Sequence, residues 1–226
     1  MKEQLNRENK KNKLLNINFI CTGNTCRSYM AEAIGNHLLK THYFKINKKL
    51  RDSLVIGSAG TAVMFDGIPL KSFRALELLK VPNLKLIPKQ IDRVMVESSD
   101  LLVTMASVHK KHIEMGFGSI DSTKIFTLRE IANICLYLRL EDIIRDDIYL
   151  KTPLKEAGAV YGLNTYSTKK TIDRIFSLKA SDRELILNAD DIEIDDPFGG
   201  SLKSYLNTAR TIKENIGIFF DYLLLN

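Results

Sequence analysis

A thiol and a guanidinium stand at the two ends of one short polar loop in this chain, Cys21-Thr22-Gly23-Asn24-Thr25-Cys26-Arg27-Ser28. A thiolate is a strong nucleophile, and the planar fork of an arginine matches two oxygens of a phosphate. The residues between them suit an anion. Gly23 lets the backbone come close, and Asn24 tolerates a left-handed conformation that aims successive N–H groups at one point. The Ser28 hydroxyl, in the first turn of a following helix, is placed to donate to the thiolate. The octet therefore reads as a phosphate-handling nucleophile site in which Cys21 attacks, Arg27 holds oxygen, and Thr22, Gly23, Asn24, Thr25, Cys26 and Ser28 form the binding loop. The plain alternative is a strand-to-helix turn holding two small buried cysteines. The Gly, Asn and Ser that fill the loop argue against it.

Such a loop needs a strand to deliver it and a helix to receive it. Leu15, Ile17, Phe19 and Ile20 read as a short buried strand, while Met30, Ala31, Ala33, Ile34 and Leu38 recur at helical spacing. The loop thus sits at a helix mouth, where unpaired N–H groups and the positive end of the dipole favour a dianion. Apolar runs at 16–21, 54–58, 100–105 and 124–127 alternate with helical patterns over 28–40, 69–79, 92–97 and 107–115. Short runs rich in Val, Ile, Leu and Phe are what strands covered on both faces require. The expected architecture is α/β, a four-stranded parallel sheet with helices on both faces. Ligands in such sheets bind at the carboxyl ends of the strands, which is where the Cys21 loop falls. A last helix over about 201–224 has Leu202, Tyr205, Ala209, Ile212, Ile216, Phe219 and Leu223 on one face, with Ser201 as its cap.

Late in the chain comes Asp195-Asp196-Pro197-Phe198-Gly199-Gly200-Ser201. The proline biases Asp196 to an extended backbone on a loop, from which its carboxyl could swing over the pocket. Turn formation before the last helix is the alternative for both aspartates. Between about 133 and 191 a further apolar helical pattern (Ile143, Ile144, Ile148, Leu150, Ile172, Ile175, Phe176, Leu178) reads as an inserted helical segment, either an embellishment or a lid and docking element for a protein partner. Residues 1–14 form a basic arm, and residues 15–226 one catalytic domain carrying that insertion.

The octet resembles the active-site loop of the low-molecular-weight protein tyrosine phosphatases, Cys-x-Gly-Asn-x-Cys-Arg-Ser, and Met30-Ala31-Glu32 continue the family's pattern. Asp196-Pro197 matches the family's late Asp-Pro pair, and Gly57-Ser58-Ala59-Gly60-Thr61, Ser99 to Met105 and Phe126-Thr127-Leu128 resemble its landmarks in order. Tyr29 departs from the family's proline. The resemblance implies catalytic roles for Cys21, Arg27 and Asp196, a contribution of Phe198 to substrate binding, and phosphorylated proteins as substrates. Together with Asp-Pro-Phe-Gly-Gly-Ser, the loop looks most like the bacterial branch that hydrolyses phosphoarginine. Thr25 stands where tyrosine phosphatases of the family carry a bulkier aliphatic residue. Phosphotyrosine remains the alternative substrate, and an arsenate reductase or a noncatalytic phosphate-binding module are lesser ones. Cys26 is either a packed loop residue or the partner of Cys21 in a reversible disulfide.

With 226 residues, 45% hydrophobic and 27% charged, the chain is long enough for one core plus an embellishment. The net charge of +6 is partly concentrated in the first residues, where a basic tail without aromatics is weak evidence for nucleic acid, and none is expected as a partner. No run approaches the ~20 apolar residues of a membrane span, so no membrane association is expected. The three cysteines, Cys21, Cys26 and Cys135, suit a reducing, cytoplasmic compartment better than a disulfide framework. His109 and His112 share a helix face at a spacing that binds metal in other settings, but without companion ligands they read as solvated surface residues. No metal or other cofactor is assigned.

Overall fold

A computed structural model of the chain describes residues 15–43, 54–147, 168–178 and 192–225. The basic arm, and the parts of the expected insertion at 148–167 and 179–191, lie outside the described residues. Strands β1 (Leu15–Cys21), β2 (Leu54–Gly60), β3 (Leu101–Thr104) and β4 (Ile125–Thr127) form one sheet in the order β2-β1-β3-β4, with every pairing parallel. The helices are α1 (Arg27–Thr41), α2 (Leu70–Leu78), α3 (Arg93–Ser98), α4 (Ser107–Phe117), α5 (Leu128–Asp147), α6 (Thr168–Ser177) and α7 (Leu202–Leu225). The expected α/β architecture is therefore the observed one, and its element boundaries fall within a few residues of those read from periodicity.

Strand alternation divides the core. Ile17, Phe19, Cys21, Leu101, Val103 and Phe126 face one side, where they join Met30, Ile34, Leu76, Ile134, Ile212, Ile216 and Phe219. Ile20, Leu102 and Ile125 face the other, against Val96 of α3 and Ile113 of α4. Helix α7 closes the larger side by packing on α1, α2 and α5. Its Ile212, Ile216 and Phe219 are fully buried, each contributing about 1.5–3 kcal/mol of transfer free energy.

The sheet order also explains where the loop lies. After β1 the chain crosses to β2 on one side, and β3 then returns to the other flank of β1. This reversal opens a crevice at the carboxyl ends of β1 and β3. The Cys21 loop occupies it.

Helix α5 starts before the position at which the insertion was expected to begin. Thr127 and Glu130 form a capping box: Thr127 N–H donates to Glu130 Oε2 at 2.6 Å, and Glu130 N–H donates to Thr127 Oγ1 at 3.1 Å. From there Ile131, Ile134, Cys135 and Leu138 run into the main core. Helix α6 packs on the same body, with Ile175 buried and Phe176 stacked on Phe126 at 5.9 Å between centroids. Arg174 binds Asp142 of α5, with Nη1 donating to Oδ2 at 2.8 Å. Among the described residues, no helix is long and apolar enough to cross a membrane.

Candidate active site

Backbone carbonyls decide how the loop is turned. Thr61 N–H donates to the Cys21 carbonyl at 2.8 Å, Ala62 N–H to the Thr22 carbonyl at 2.9 Å, and Met30 N–H to the Cys26 carbonyl at 2.9 Å. The Ser72 hydroxyl donates to the Thr25 carbonyl at 3.1 Å. A trans peptide directs its N–H opposite its C=O, and no peptide bond among the described residues is cis. The amides of Thr22, Gly23, Cys26 and Arg27 therefore point away from these partners, toward the concave side of the loop. Helix α1 begins at this point with no side-chain cap and no acidic residue in its first turn. Its positive end is left to an external anion.

Asn24 holds the loop's shape. Its φ is 55°, the left-handed conformation expected from its type and place. The side chain uses both ends: Oδ1 accepts from Lys89 N–H at 2.9 Å, and Nδ2 donates to Ser28 Oγ at 2.9 Å and to Ser58 Oγ at 2.8 Å. Ser58 in turn donates to Glu32 Oε2 at 2.6 Å. Burial raises the Glu32 carboxyl above its ordinary range, which the Ser58 bond partly opposes. Ser28 Oγ lies 2.9 Å from Cys21 Sγ and 3.3 Å from the Ala59 carbonyl. Because Ser28 accepts from Asn24, its single proton is free to turn to sulfur.

Gly60, at the end of β2, meets this loop at close range. A Cβ there would stand 2.5 Å from the Thr22 carbonyl oxygen and 2.9 Å from Asn24 N. Both neighbours are backbone and neither yields easily. Gly60→Ala is expected to destabilise the fold by about 1–3 kcal/mol and to weaken anion binding by the loop through displacement of Thr22 to Asn24. Thermal melting together with titration of inorganic phosphate checks this, and an unchanged melting temperature would show that the loop yields freely.

Arg27 joins the loop to the late aspartates. Its side chain is buried, with Nη1 donating to the Ile194 carbonyl at 3.2 Å and Nη2 to Asp196 Oδ2 at 2.5 Å. Residues 192–196 are held from several sides: Thr127 Oγ1 donates to the Ile192 carbonyl at 2.7 Å, Ile194 N–H to the Met105 carbonyl at 2.8 Å, and Thr208 Oγ1 to the Asp195 carbonyl at 3.3 Å. Asp196 caps its own turn by accepting from Phe198 N–H at 3.1 Å. Its side chain is about half exposed and is docked on Arg27. Arg27, the first residue of α1 after the Cys21 loop, and Asp196, on a loop far along the chain, are thus in contact.

A model of the low molecular weight phosphotyrosine protein phosphatases matches residues 16–142. The chain belongs to that family. It is 32% identical over 118 residues to the protein-arginine-phosphatase of Bacillus subtilis (strain 168), a match covering 51% of this chain and 71% of that protein. It is 33% identical over 118 residues to the low molecular weight protein-tyrosine-phosphatase PtpB of Staphylococcus haemolyticus (strain JCSC1435), covering 51% and 73%. A YwlE mutant from Bacillus subtilis of known crystal structure has a TM-score of 0.56 at 22% identity, over 90% of this chain and 95% of that one, and so shares its fold. The family and the two named relatives make this chain a protein phosphatase.

Other residues of the phosphatase loop have clear surroundings. Thr25 is buried, with Oγ1 3.6 Å from Cys26 Sγ. Cys26 is buried and donates to Tyr205 Oη at 3.5 Å, and desolvation raises its thiol above the ordinary value. Cys21, Cys26 and Cys135 are all free thiols. Tyr29, in place of the family's proline, is fully buried, donates to the Leu84 carbonyl at 3.1 Å and meets Phe73 edge-on at 5.8 Å. Phe198 is exposed and stacks on Phe65 with centroids 6.3 Å apart. Phe65, in the loop after β2, had no motif to mark it.

His109 corrects an expectation. It is 2% exposed, with Nε2 3.0 Å from Thr22 Oγ1, whereas His112 is exposed as expected. The first turn of α4 follows directly on β3, so a side chain there is carried over the carboxyl end of the sheet rather than into solvent. Burial, with the Arg27 charge as the next cause, pushes its pKa down to about 4 against smaller opposing effects of Asp196 and Glu193.

Proposed function

We propose that this phosphatase hydrolyses phosphoarginine on proteins through a cysteinyl-phosphate intermediate. In this reading Cys21 attacks phosphorus in line while the guanidinium of Arg27 and the amides of Thr22, Gly23, Cys26 and Arg27 stabilise charge on the transferring oxygens. Asp196 protonates the departing guanidino nitrogen and then, as a carboxylate, takes a proton from the water that releases inorganic phosphate. Asn24 and Ser28 maintain the loop and the sulfur. The observation that carries the mechanism is the pair of hydrogen bonds that Arg27 donates to the Ile194 carbonyl and the Asp196 carboxylate, which ties the acid-bearing loop to the nucleophile loop.

Thr25 supports the arginine substrate. A buried threonine is smaller than the aliphatic residue of the tyrosine-directed pattern, and its hydroxyl accepts from a guanidinium N–H. The exposed Phe198 and Phe65 rings offer a flat apolar wall beside Asp196, on which a planar guanidinium stacks. A phenyl ring stacks there as well, and the similarity to a protein-tyrosine-phosphatase supports phosphotyrosine as the second reading.

Matched phosphoarginine and phosphotyrosine peptides separate the two. The wild-type protein is expected to prefer phosphoarginine, and Thr25→Ile to shift the ratio of kcat/KM values toward phosphotyrosine by about tenfold or more. A wild-type preference for phosphotyrosine would make this a tyrosine phosphatase. Absence of Cys21-dependent release from either peptide would reduce the site to phosphate binding alone. The free thiols fit a reducing compartment, and we place the protein in the cytoplasm.

A further inference from the structure

His109 is held in a manner that ordinary packing does not require. Its ring is 2% exposed, Nε2 is 3.0 Å from Thr22 Oγ1, and Nδ1 is buried with no hydrogen-bond partner among the described residues. Leaving a buried ring nitrogen unpaired opposes folding, so a leucine would serve simple core filling better. Arg27 acts on the ring from the start of α1, Asp196 from the late loop, Glu193 from the segment that caps α4, and His112 from the next turn. Glu193 Oε1 itself accepts from the Ser107 N–H at 3.3 Å and from its hydroxyl at 2.5 Å, which fixes the start of α4 and with it the ring. Burial and the Arg27 cation keep His109 neutral near neutral pH. A neutral imidazole pairs with a hydroxyl in either tautomer, because threonine both donates and accepts.

Thr22 is then gripped at two points. Ala62 N–H holds its carbonyl at 2.9 Å and His109 holds its hydroxyl. The carbonyl sets where the Gly23 amide points, and the side-chain bond limits the rotation of Thr22 itself. We propose that His109 is a positioning residue: by pinning the Thr22 hydroxyl from outside the loop, it keeps the Thr22 and Gly23 amides aimed at the phosphoryl oxygens. The inference rests on the phosphate-binding role given above to the loop and touches no reacting atom.

The test reads binding rather than turnover. Inorganic phosphate is titrated calorimetrically into the wild-type protein and into His109→Leu, His109→Gln, Thr22→Val and the His109→Leu/Thr22→Val double variant, with thermal melting alongside. Loss of the pinning bond is expected to weaken phosphate binding about tenfold in His109→Leu and in Thr22→Val. Gln places an amide near the Nε2 position, so His109→Gln is expected to stay within about threefold of wild type. The double variant is expected to be no weaker than the worse single one, because both break the same bond. Wild-type affinity in His109→Leu, equal losses in His109→Gln and His109→Leu, or losses that simply add in the double variant would each overturn the proposal. Thr22→Val changes an exposed residue and decides the matter where His109→Leu does not fold. Phosphate binding needs no hydrolysis. A wild-type protein that binds phosphate in this pattern without Cys21-dependent turnover would sink the catalytic reading and leave the positioning role standing.

Discussion

Cys21→Ser is expected to lower turnover by about 10⁴-fold or more on any phosphorylated substrate, with phosphate binding largely retained. The two sulfur-to-oxygen consequences separate cleanly. Serine keeps the size and the hydrogen bond to Ser28, whose Oγ is 2.9 Å from the Cys21 sulfur. The anion cradle proposed for the loop amides and Arg27 is untouched. What disappears is the proposed nucleophile. A serine hydroxyl stays protonated at neutral pH, and among the described residues the side chain that meets this position is a second hydroxyl, which cannot take its proton. Cys26→Ser is the informative comparison. Cys26 turns toward Tyr205 and burial holds its thiol protonated, so its replacement removes a packing contact and not the attacking atom. Phosphate release from an aryl phosphate, measured for both variants, checks the pair. Turnover by Cys21→Ser near the wild-type rate, or an equal collapse in Cys26→Ser, would mean that the covalent step is misassigned.

The parts of this site that were legible in the sequence are those in which residue type and backbone conformation are locally coupled. Asn24 has a φ of 55°, a conformation that asparagine adopts more readily than most residues, so its type in a short strand-to-helix loop announces it. Ser28 is in the first turn of α1, from which its hydroxyl reaches the sulfur. Strands β1 to β4 were visible because a strand covered on both faces can afford almost no polar residue, and the one exception in β1 that is well buried, Asn18, finds Ser99 Oγ at 2.9 Å. Asp196 could be placed only through the family resemblance, since nothing local tells a turn-forming aspartate from one docked on an arginine.

What the sequence hid is of a different kind. His109 and His112 are equivalent by spacing, and only the crossing of α4 over the end of β3 makes one a buried neighbour of Thr22 and the other a surface residue. Phe65 pairs with Phe198 through a loop whose course no periodicity describes. The start of α5 was readable in retrospect. Thr127 and Glu130 carry the capping-box spacing, so a helix beginning at Leu128 and continuing past 133 follows from a local signal that the apolar pattern of the next segment obscured.

Asp196→Asn is expected to lower kcat by about 10²–10⁴-fold on substrates with poor leaving groups. The substitution costs the ion pair with Arg27, because an amide that keeps its oxygen for Phe198 turns its NH2 toward the guanidinium. Asn keeps an oxygen for the Phe198 amide, now 3.1 Å from Asp196 Oδ1, and the 192–196 segment remains held by Met105, Thr127 and Thr208. It removes the proton that must reach the leaving atom. The size of the loss should therefore track the leaving group. A guanidino nitrogen or a simple phenolate departs only when protonated, whereas a nitrophenolate leaves unaided. With the activated ester the first step survives, and the variant is expected to stall at the second step, where a carboxylate is needed to activate water. Rapid-quench measurements would then show a burst of nitrophenol followed by slow turnover. Equal losses on phenyl and nitrophenyl phosphates, with no burst, would remove Asp196 from proton transfer. Its bond to Arg27 would then be a structural tie that orients the guanidinium and nothing more.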